Sequence, residues 1–533
     1  MTTTGLSRRR LFAGSAALGT AALVGTRSAS ADTEALDSAY ITVTPGSPQY
    51  SDLVRGTNLR FTGTPDTVHL VSNTAQVVAA VQAAVRAGKR LAVRSGGHCY
   101  ENFVADQAVK AVIDLSPMRS VKFDPARKAF AVEAGATLGE IYDALYKGWG
   151  VTIPAGACPT VGVGGHITGG GYGALSRMFG LSVDYLEAIE IVVVDAAGTA
   201  RSVVATCAPT DPNRDLWWAH TGGGGGNFGV VTKFWFRTPG AVSADPAKQL
   251  PRPPSELLIS NVSWAWSSLN ATSFARLMSN FGRWYELNSS PTSPYTRLFS
   301  ELKPAHVAAG AVSLTTQVDG TVSNADKLLD DYLNAINAGV GFPFAVAERR
   351  RIPWLHATKW SGFTGPDPTL RFKGKPAYQR KNFTPTQISA MYKHLTRTDY
   401  SNPAALLLIS GYGGAVSSVS PTATAVAQRD SILKVQTAAL WTNGDDDARH
   451  LAWVREIFRD IYADTGGVPV PNEVNDGMFI NYADVDPADP VLNQSGVDWT
   501  YLYFKDNYRR LQQVKARWDP RDTFRHALSV RLP

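Results

Sequence analysis

The stretch Gly162-Val-Gly-Gly-His-Ile-Thr-Gly-Gly-Gly-Tyr-Gly173 contains seven glycines in twelve positions. Glycine loses more conformational freedom on folding than any other residue, so such a run indicates a backbone that must lie close to another surface. Immediately before it, Pro154-Ala-Gly-Ala-Cys158 supplies a thiol. Sixty positions before that thiol, Arg94-Ser-Gly-Gly-His98 supplies an imidazole beside a second glycine turn. Both side chains can act as nucleophiles, and together they predict covalent attachment of a cofactor.

A third glycine segment, Gly222–Gly226 followed by Asn227-Phe-Gly229, contains the spacing G-x-G-x-x-G at positions 224, 226 and 229. It precedes the strand-like run 230–236, whereas the dinucleotide fingerprint of the Rossmann fold opens a helix. The match is therefore not taken as a Rossmann fingerprint. The motifs G-x-S-x-G and H-E-x-x-H and a Walker A lysine loop are absent from the sequence, which argues against those chemistries. No metal site is predicted.

Two amphipathic helices are predicted in the first half of the chain from apolar spacing and helix-end signals. Apolar residues recur at helical spacing over 77–85, behind the candidate cap residues Asn73 and Thr74. Thr137 and Glu140 have the spacing of a capping box and predict the start of a second helix.

Short strands alternate with these helices from about residue 65 to 240. Residues 91–93 predict a strand that leads directly into the turn before His98. Residues 187–194 and 200–204 predict a β-hairpin. The pattern indicates an α+β cofactor-binding module.

The composition changes near residue 240, where a proline-rich linker begins and the glycine loops end. In the following segment, strands at 404–409 and 438–441 predict a sheet that roofs a pocket. The tail is dense in Asn, Tyr and Arg and is expected to return to the first module. The predicted divisions are an export signal at 1–31, the first part of the cofactor-binding domain at 32–240, a substrate-binding domain at 241–470, and the C-terminal part of the cofactor-binding domain at 471–533.

The N-terminus has the three parts of a twin-arginine export signal. Ser7-Arg-Arg-Arg-Leu-Phe12 is followed by a modestly apolar run over 13–25 and by Ala29-Ser-Ala31, a small-residue cleavage site. The apolar run is too short to span a bilayer, so no membrane partner is predicted. We expect a secreted protein whose mature chain begins near Asp32.

The composition is that of a globular protein with room for more than one domain, with 533 residues, 44% hydrophobic and 18% charged. The formal net charge is +7, and four of the basic residues lie in the acid-free first 31 positions. No Lys/Arg cluster is interleaved with aromatic residues, so no nucleic-acid partner is predicted. Cys99, Cys158 and Cys207 are an odd number of cysteines, which does not form a closed disulfide framework in an exported protein. Cys99 and Cys207 could pair, but both are predicted to be free buried thiols.

Several motifs resemble the berberine-bridge-enzyme group of FAD-linked oxidases. They are the glycine turn that ends at His98, Cys158 before the glycine-rich stretch, the segment 222–231, Asn507-Tyr-Arg-Arg-Leu511 and Asp519-Pro520. The resemblance covers essentially the whole predicted mature chain. It implies the vanillyl-alcohol-oxidase fold, which is an α+β fold. A two-part FAD-binding module carries an inserted α+β substrate domain built on an antiparallel sheet.

The resemblance also implies how FAD is held. The histidine at His98 bonds the 8α-methyl carbon of the flavin and the cysteine at Cys158 bonds C6, so the linkage is bicovalent. Two roles are left open, because Arg94 could pair with a diphosphate or with a structural acid, and His166 could cap backbone groups. The full set of predicted cofactor-binding residues is Arg94, Ser95, Gly96, Gly97, His98, Cys158, Gly162, Gly164, Gly165, His166, Gly170, Gly171, Tyr172, Gly229, Val230, Val231, Asn481, Tyr503 and Asn507.

Two tyrosines are predicted to be catalytic. Oxidation of a carbinol needs a group that takes the O–H proton while hydride leaves carbon. Tyr482 in Ile480-Asn-Tyr482 matches a tyrosine that faces the flavin in the group, and Tyr412 in Ser410-Gly-Tyr-Gly-Gly414 matches a second pocket tyrosine. A free tyrosine has a pKa of about 10, so either would need a lowered pKa or a concerted proton relay. The segment has no glutamate base, which favours alcohol oxidation over cyclisation.

The expected activity is oxidation of a secondary alcohol on a glycosylated or polyketide natural product to a ketone, with O2 as acceptor and H2O2 as product. Phe479-Ile-Asn-Tyr482 and Trp518-Asp-Pro-Arg-Asp522 resemble members that oxidise the terminal sugar of an anthracycline. A second desaturation step is open if Tyr412 takes another proton. The alternatives are an oligosaccharide oxidase acting at an anomeric hydroxyl, an allylic alcohol oxidase of another polyketide antibiotic, and a flavin-binding protein without turnover.

Overall fold

The computed structural model describes residues 38–363 and 370–533. By its internal contacts the chain divides into residues 1–39 and 40–533, and the second unit contains all the sheets and helices described. The predicted export signal and the expected start at Asp32 lie outside the described residues. Within the described ranges, no helix is both long enough and apolar enough to span a bilayer.

The first sheet consists of four short strands, β1 (Ile41–Val43), β2 (Thr67–Leu70), β3 (Leu91–Arg94) and β4 (Ala111–Asp114). Their order is β1-β2-β4-β3, with β2 and β3 both parallel to β4. Parallel neighbours need a crossover connection, and the helix α2 (Thr74–Arg86) lies between β2 and β3 in the chain. Because β3 ends at Arg94, the turn that carries His98 begins at the carboxyl end of a parallel strand. Ligands of open α/β sheets bind at such ends.

The second sheet is antiparallel and has five strands, β5 (Val121–Asp124), β6 (Ala129–Glu133), β7 (Leu186–Val194), β8 (Ala200–Thr206) and β9 (Val230–Phe236). Their order is β5-β6-β9-β7-β8. The predicted hairpin is confirmed as the β7–β8 pair. The third glycine segment leads into β9, as predicted, and not into a helix.

The third sheet is antiparallel and carries the middle of the chain. Its strands are β10 (Glu256–Ala265), β11 (Leu298–Pro304), β12 (Ala311–Asp319), β13 (Ala345–Pro353), β14 (Arg371–Gln379), β15 (Ala405–Gly411) and β16 (Leu433–Trp441). Their order is β13-β10-β12-β11-β15-β16-β14. All seven strands lie inside the predicted substrate-binding segment, while the domain boundaries themselves stay a prediction. The predicted strands at 404–409 and 438–441 correspond to β15 and the end of β16.

The helices outside the first crossover pack on the edges and faces of these sheets. They are α1 (Tyr50–Leu53), α3 (Leu138–Trp149), α4 (Val163–Thr168), α5 (Ser176–Phe179), α6 (Arg214–Ala219), α7 (Ala271–Asn288), α8 (Ala325–Asn337), α9 (Trp354–Ala357), α10 (Pro385–Leu395), α11 (Asp447–Ile461), α12 (Trp499–Phe504) and α13 (Tyr508–Trp518).

Local signals decide where the two predicted helices begin. The Asn73 side chain accepts a hydrogen bond from the backbone N–H of Gln76, which starts α2. Thr137 and Glu140 form the predicted capping box of α3, and Gly150 ends that helix in the left-handed conformation at φ 69°. Each cap satisfies backbone donors that the first turn of a helix leaves unpaired. The start of α3 therefore fixes the chain that leads to Cys158.

We expect Thr137→Ala to lower the free energy of unfolding by about 1 kcal/mol, because the first turn of α3 loses its capping side chain. The measurement is the midpoint of chemical denaturation. The control is Thr210→Ala at an exposed turn position, for which we expect a change within about 0.5 kcal/mol. Equal effects of the two variants would contradict this account of the helix start.

Candidate active site

One cavity of about 580 Å³ lies between the glycine turns and the third sheet. One wall is formed by the turn that carries His98, the segment with Cys158, and the start of the glycine-rich stretch. The opposite wall comes from β11, β15 and β16, and the segment with Tyr482 closes one side. The structure thus brings both attachment residues and one predicted catalytic tyrosine to a single space.

The glycine turns are pressed against each other at the floor of this cavity. A Cβ atom on Gly96 would collide with the backbone of Gly162, and a Cβ on Gly162 would collide with the backbone of Gly96. Gly97 adopts φ +74°, a left-handed conformation that favours glycine. A Cβ on Gly165 would meet no atom within 4 Å, so a side chain there would enter the cavity space. The turns form a backbone cradle, which fits a dinucleotide cofactor such as FAD.

The two predicted attachment residues share one hydrogen-bonding neighbour. The Nε2 atom of His98 lies 2.9 Å from the hydroxyl of Thr160, and the Sγ atom of Cys158 lies 3.4 Å from the same hydroxyl. Burial lowers the pKa of His98 to about 4, so its imidazole is neutral near pH 7. A neutral imidazole has the lone pair that a nucleophile needs. The donor chemistry of this wall therefore fits covalent attachment of a flavin.

The opposite side of the cavity carries a tyrosine and a buried lysine in contact. The Nζ atom of Lys434 donates a hydrogen bond of 2.8 Å to the hydroxyl of Tyr482. Tyr100 stacks on the Tyr482 ring at 5.1 Å between centroids. Its own hydroxyl accepts a hydrogen bond of 3.3 Å from the amide of Gln436. All four side chains line the cavity.

Burial changes the acid–base properties of this pair in opposite directions. Desolvation lowers the pKa of Lys434 to about 7, although the charge of Glu301 opposes this change. Burial raises the pKa of Tyr482 well above its usual value of 10. Near neutral pH the amine therefore exchanges a proton more readily than the phenol. A proton released at Tyr482 has a ready acceptor in the neutral form of Lys434.

Two protein families match the sequence. The family described as "FAD binding domain" matches residues 65–203, and "Berberine and berberine like" matches residues 478–531. The chain is 54% identical to aclacinomycin-N/aclacinomycin-A oxidase of Streptomyces galilaeus over 488 residues, which are 91% of this chain and 88% of that protein. The chain belongs to the berberine-bridge-enzyme-like family of FAD-linked oxidases. It is therefore an FAD-dependent oxidoreductase that acts on CH–OH groups with oxygen as acceptor.

Solved structures agree with this assignment. The crystal structure of aclacinomycin oxidoreductase has a TM-score of 0.89 at 53% identity and covers 93% of this chain and all of that one. A glycopeptide hexose oxidase solved in complex with teicoplanin has a TM-score of 0.88 at 50% identity, with 92% and 99% covered. The predicted α+β fold of the vanillyl-alcohol-oxidase type is confirmed.

Arg94 and His166, whose roles the sequence left open, each have a polar partner within the protein. Arg94 forms an ion pair with the buried carboxylate of Asp114 and donates a hydrogen bond of 3.2 Å to the carbonyl of Arg55. His166 accepts a hydrogen bond of 3.1 Å from the backbone N–H of Gly156 through Nε2. Arg94 thus pairs with a structural acid, and His166 caps a backbone group. Both also line the cavity.

Some predicted cofactor contacts lie in the wall of the cavity and others lie behind it. The residues that line it, beyond those described above, are Ser95, Gly164, Tyr172, Gly229, Val231 and Asn481. The amide of Asn481 also donates a hydrogen bond of 2.8 Å to the carbonyl of His166, which ties the tail to the glycine-rich stretch.

Five predicted cofactor residues lie outside the lining, and their contacts are with protein. A Cβ atom on Gly170 would lie 2.7 Å from Val426, and one on Gly171 would lie 2.6 Å from Ser182. The Tyr503 hydroxyl donates to the carbonyl of Asp484 at 3.1 Å. The Asn507 amide donates to the carbonyl of Pro421 at 2.8 Å. Val230 is fully buried in β9. The polar groups of Tyr503 and Asn507 thus bond the backbone, and their contacts with the flavin stay a prediction.

Tyr412 also lies behind the cavity wall. It is fully buried, and its ring packs on Tyr172 at 5.2 Å and on Tyr378 at 5.1 Å between centroids. Tyr172 lies between it and the Lys434 ammonium, which is 4.6 Å from the Tyr172 ring centroid. The structure places Tyr412 away from the surface that a substrate reaches. Its catalytic role stays a prediction without a geometric basis.

Sequence reasoning missed Lys434, Gln436, Tyr100 and Thr160. A signal for the first two exists in Ile432-Leu-Lys-Val-Gln436, where a lysine and a glutamine alternate with apolar residues. Successive side chains of a strand point to opposite faces, so Lys434 and Gln436 share a face. Lysine and glutamine at strand positions usually face solvent, and only the third sheet's position over the cavity shows that these two face inward.

We expect Gly96→Ala to lower both the FAD content and the stability, because the added Cβ forces the two glycine turns apart. The stability loss is expected to be about 1–3 kcal/mol, as for other overpacking substitutions. The measurements are flavin absorbance per protein and the denaturation midpoint. Gly148→Ala is the control, because its Cβ meets no atom within 4 Å and it lies in α3. An FAD content equal to wild type in Gly96→Ala would contradict the cradle.

Proposed function

We propose that this chain is a bicovalent FAD-dependent oxidase that converts a secondary alcohol on a glycosylated natural product to a ketone, with release of H2O2. The observation that carries the proposal is the Tyr482–Lys434 pair, which faces the same cavity as His98 and Cys158. Covalent attachment is proposed through His98 to the 8α carbon and Cys158 to C6. When bound, FAD accepts hydride from the carbinol carbon and passes the electrons to O2.

The residues of this chain supply the proton path. The substrate hydroxyl donates to the oxygen of Tyr482, and the phenol proton passes to the neutral amine of Lys434 along the 2.8 Å hydrogen bond. This relay avoids free phenolate, which burial makes costly. The amide of Gln436 holds Tyr100, and Tyr100 stacks on Tyr482 and keeps its ring in place.

The relatives support a sugar of a natural product as the substrate. The relatives include an oxidase of aclacinomycin N and aclacinomycin A and a glycopeptide hexose oxidase. The third sheet lines the cavity with Phe299, Leu406 and Leu408 beside the charged Glu301 and Lys303. Apolar side chains next to polar groups suit a ligand with both an aromatic or polyketide part and a sugar. The terminal sugar of an anthracycline is the lead candidate. Because Tyr412 lies behind the wall, we propose one oxidation and no desaturation.

We also propose that the enzyme is exported as a folded protein through its N-terminal twin-arginine signal. Ser7-Arg-Arg-Arg-Leu-Phe12 and Ala29-Ser-Ala31 support this proposal. A cofactor that is attached before export would be retained on the other side of the membrane.

The substrate class is tested by anaerobic mixing of the purified holoenzyme with glycosylated polyketides, glycopeptides and oligosaccharides. We expect bleaching of the flavin absorbance by a glycosylated natural product, and recovery with H2O2 release when air is admitted. Bleaching by oligosaccharides alone would assign the enzyme to anomeric oxidation. No bleaching by any compound of the panel would contradict the proposed substrate class.

We expect Tyr482→Phe to lower the rate of flavin bleaching by about 10²–10⁴-fold, because the proton acceptor is lost. FAD content should be unchanged, since the attachment residues are untouched. Tyr501→Phe, at an exposed position outside the cavity lining, is the control. A Tyr482→Phe variant that bleaches at the wild-type rate would exclude the relay.

The bleaching rate should rise with pH through about 7, because only the neutral form of Lys434 accepts the phenol proton and its pKa is about 7. Below that pH the amine is protonated and the rate falls. Lys434→Met should be slow and lack this rise, and Lys434→Arg, which stays charged at every pH tested, should be slow throughout. The rate is measured by stopped flow from pH 5 to 9. The same pH rise in Lys434→Met would assign the titration to another group.

Export is tested with the double variant Arg8→Lys, Arg9→Lys. We expect the wild-type chain to accumulate outside the cell and the variant to remain inside with its FAD. Equal secretion of both proteins would contradict a twin-arginine route.

A further inference from the structure

We propose that Thr160 is a positioning residue for attachment of the flavin, because its hydroxyl holds His98 and Cys158 together at one edge of the cavity. The inference rests on the proposed bicovalent linkage. The hydroxyl oxygen lies 2.9 Å from Nε2 of His98 and 3.4 Å from Sγ of Cys158. The two nucleophilic side chains are therefore separated by no more than the sum of these distances. That spacing suits two nearby carbons of one flavin ring.

The backbone around Thr160 is held in place by two hydrogen bonds from the start of α3. The N–H of Leu138 donates to the carbonyl of Val161 at 3.0 Å, and the N–H of Gly139 donates to the carbonyl of Pro159 at 2.9 Å. A threonine side chain has restricted rotation about its first bond, because it is branched at Cβ. Thr160 is outside the cavity lining. It therefore acts on the attachment residues and does not contact the substrate.

The hydroxyl of Thr160 has one proton and can donate only one hydrogen bond. When Nε2–H of His98 donates to the hydroxyl oxygen, the hydroxyl proton points to the sulfur of Cys158. This arrangement leaves Nδ1 of His98 with its lone pair, and no hydrogen bond involves Nδ1 within the described residues. Because Thr160 occupies Nε2 whichever atom donates, Nδ1 is the imidazole nitrogen left free to attack. The neutral imidazole of His98, which burial favours, is the form this arrangement needs.

The attachment chemistry balances with O2 as the oxidant. In the first bond, Nδ1 joins the 8α carbon, a methyl C–H bond breaks, and the imidazole gives up its Nε2 proton along the hydrogen bond to Thr160. In the second bond, the sulfur joins C6, and the thiol S–H and ring C–H bonds break. Each bond formation releases two electrons and two protons, which reduce one O2 to H2O2. The protein thus consumes two O2 per flavin before its first turnover.

The test uses the full-length protein produced under riboflavin limitation, so that it carries no FAD. FAD is then added in air, samples are denatured in acid at intervals, and the covalently held FAD is measured by intact mass and peptide mapping. We expect Thr160→Val, which removes the hydroxyl at nearly constant volume, to slow attachment about tenfold or more, as loss of about 1.4 kcal/mol predicts. Thr160→Ser keeps the hydroxyl and should attach FAD at close to the wild-type rate.

Peptide mapping adds a result that a merely structural role would not produce. We expect Thr160→Val to accumulate protein linked at one residue only, whereas wild type is linked at both His98 and Cys158. If Thr160→Val binds no FAD, Thr160→Ala replaces it in the same experiment. Attachment in the hydroxyl-free variant at the wild-type rate and at both residues would overturn the role of Thr160. Wild-type protein that loses all its FAD in acid would instead overturn the proposed linkage itself.

Discussion

The structure depends on a buried network of charges that joins three distant parts of the chain. Lys373 of β14 contacts Glu101 and lies 2.7 Å from Asp484. Lys375 of the same strand lies 2.6 Å from Asp484 and 2.9 Å from Asp486. All five side chains are at most 5% exposed. Removing one partner from such a pair leaves an unpaired buried charge and lowers the free energy of unfolding by about 3–5 kcal/mol. Loss of any one of these side chains is therefore expected to weaken the packing of all three segments.

This network sets the distance between the two sides of the active site. Glu101 follows His98 by three residues, and Asp484 follows Tyr482 by two. The side with His98 and the side with Tyr482 are therefore both tied to β14 by ion pairs, and the partner strand of β14, β16, carries Lys434. A hydride transfer needs the reacting groups held to within a fraction of an ångström. The ionic contacts next to each segment limit the movement of one side of the cavity relative to the other.

The sequence allowed the cofactor side to be predicted more fully than the catalytic side, for a physical reason. Glycine turns, capping residues and strand periodicity are local, so α2, α3, β3 and the β7–β8 hairpin were all foreseen. The contact between Lys434 and Tyr482 depends on which face of β16 is turned toward the cavity. Packing between segments far apart in the chain sets the orientation of that strand. Tyr412 and Tyr503 lie outside the cavity lining, and a motif match gives no information on whether a ring lines a cavity or packs behind its wall.

The order of the segments along the chain has a consequence for protein synthesis. His98, Cys158 and both lysines of β14 leave the ribosome long before Asp484 and Asp486 do. Until the last part of the chain emerges, Lys373 and Lys375 have no carboxylates from the tail to neutralise them, and their strand resists burial. The buried ionic network that joins β14 to the tail can therefore be completed only after Asp484 and Asp486 have been synthesised. Contacts between segments this far apart in the chain also form slowly, so completion of this network is expected to be a late step in folding.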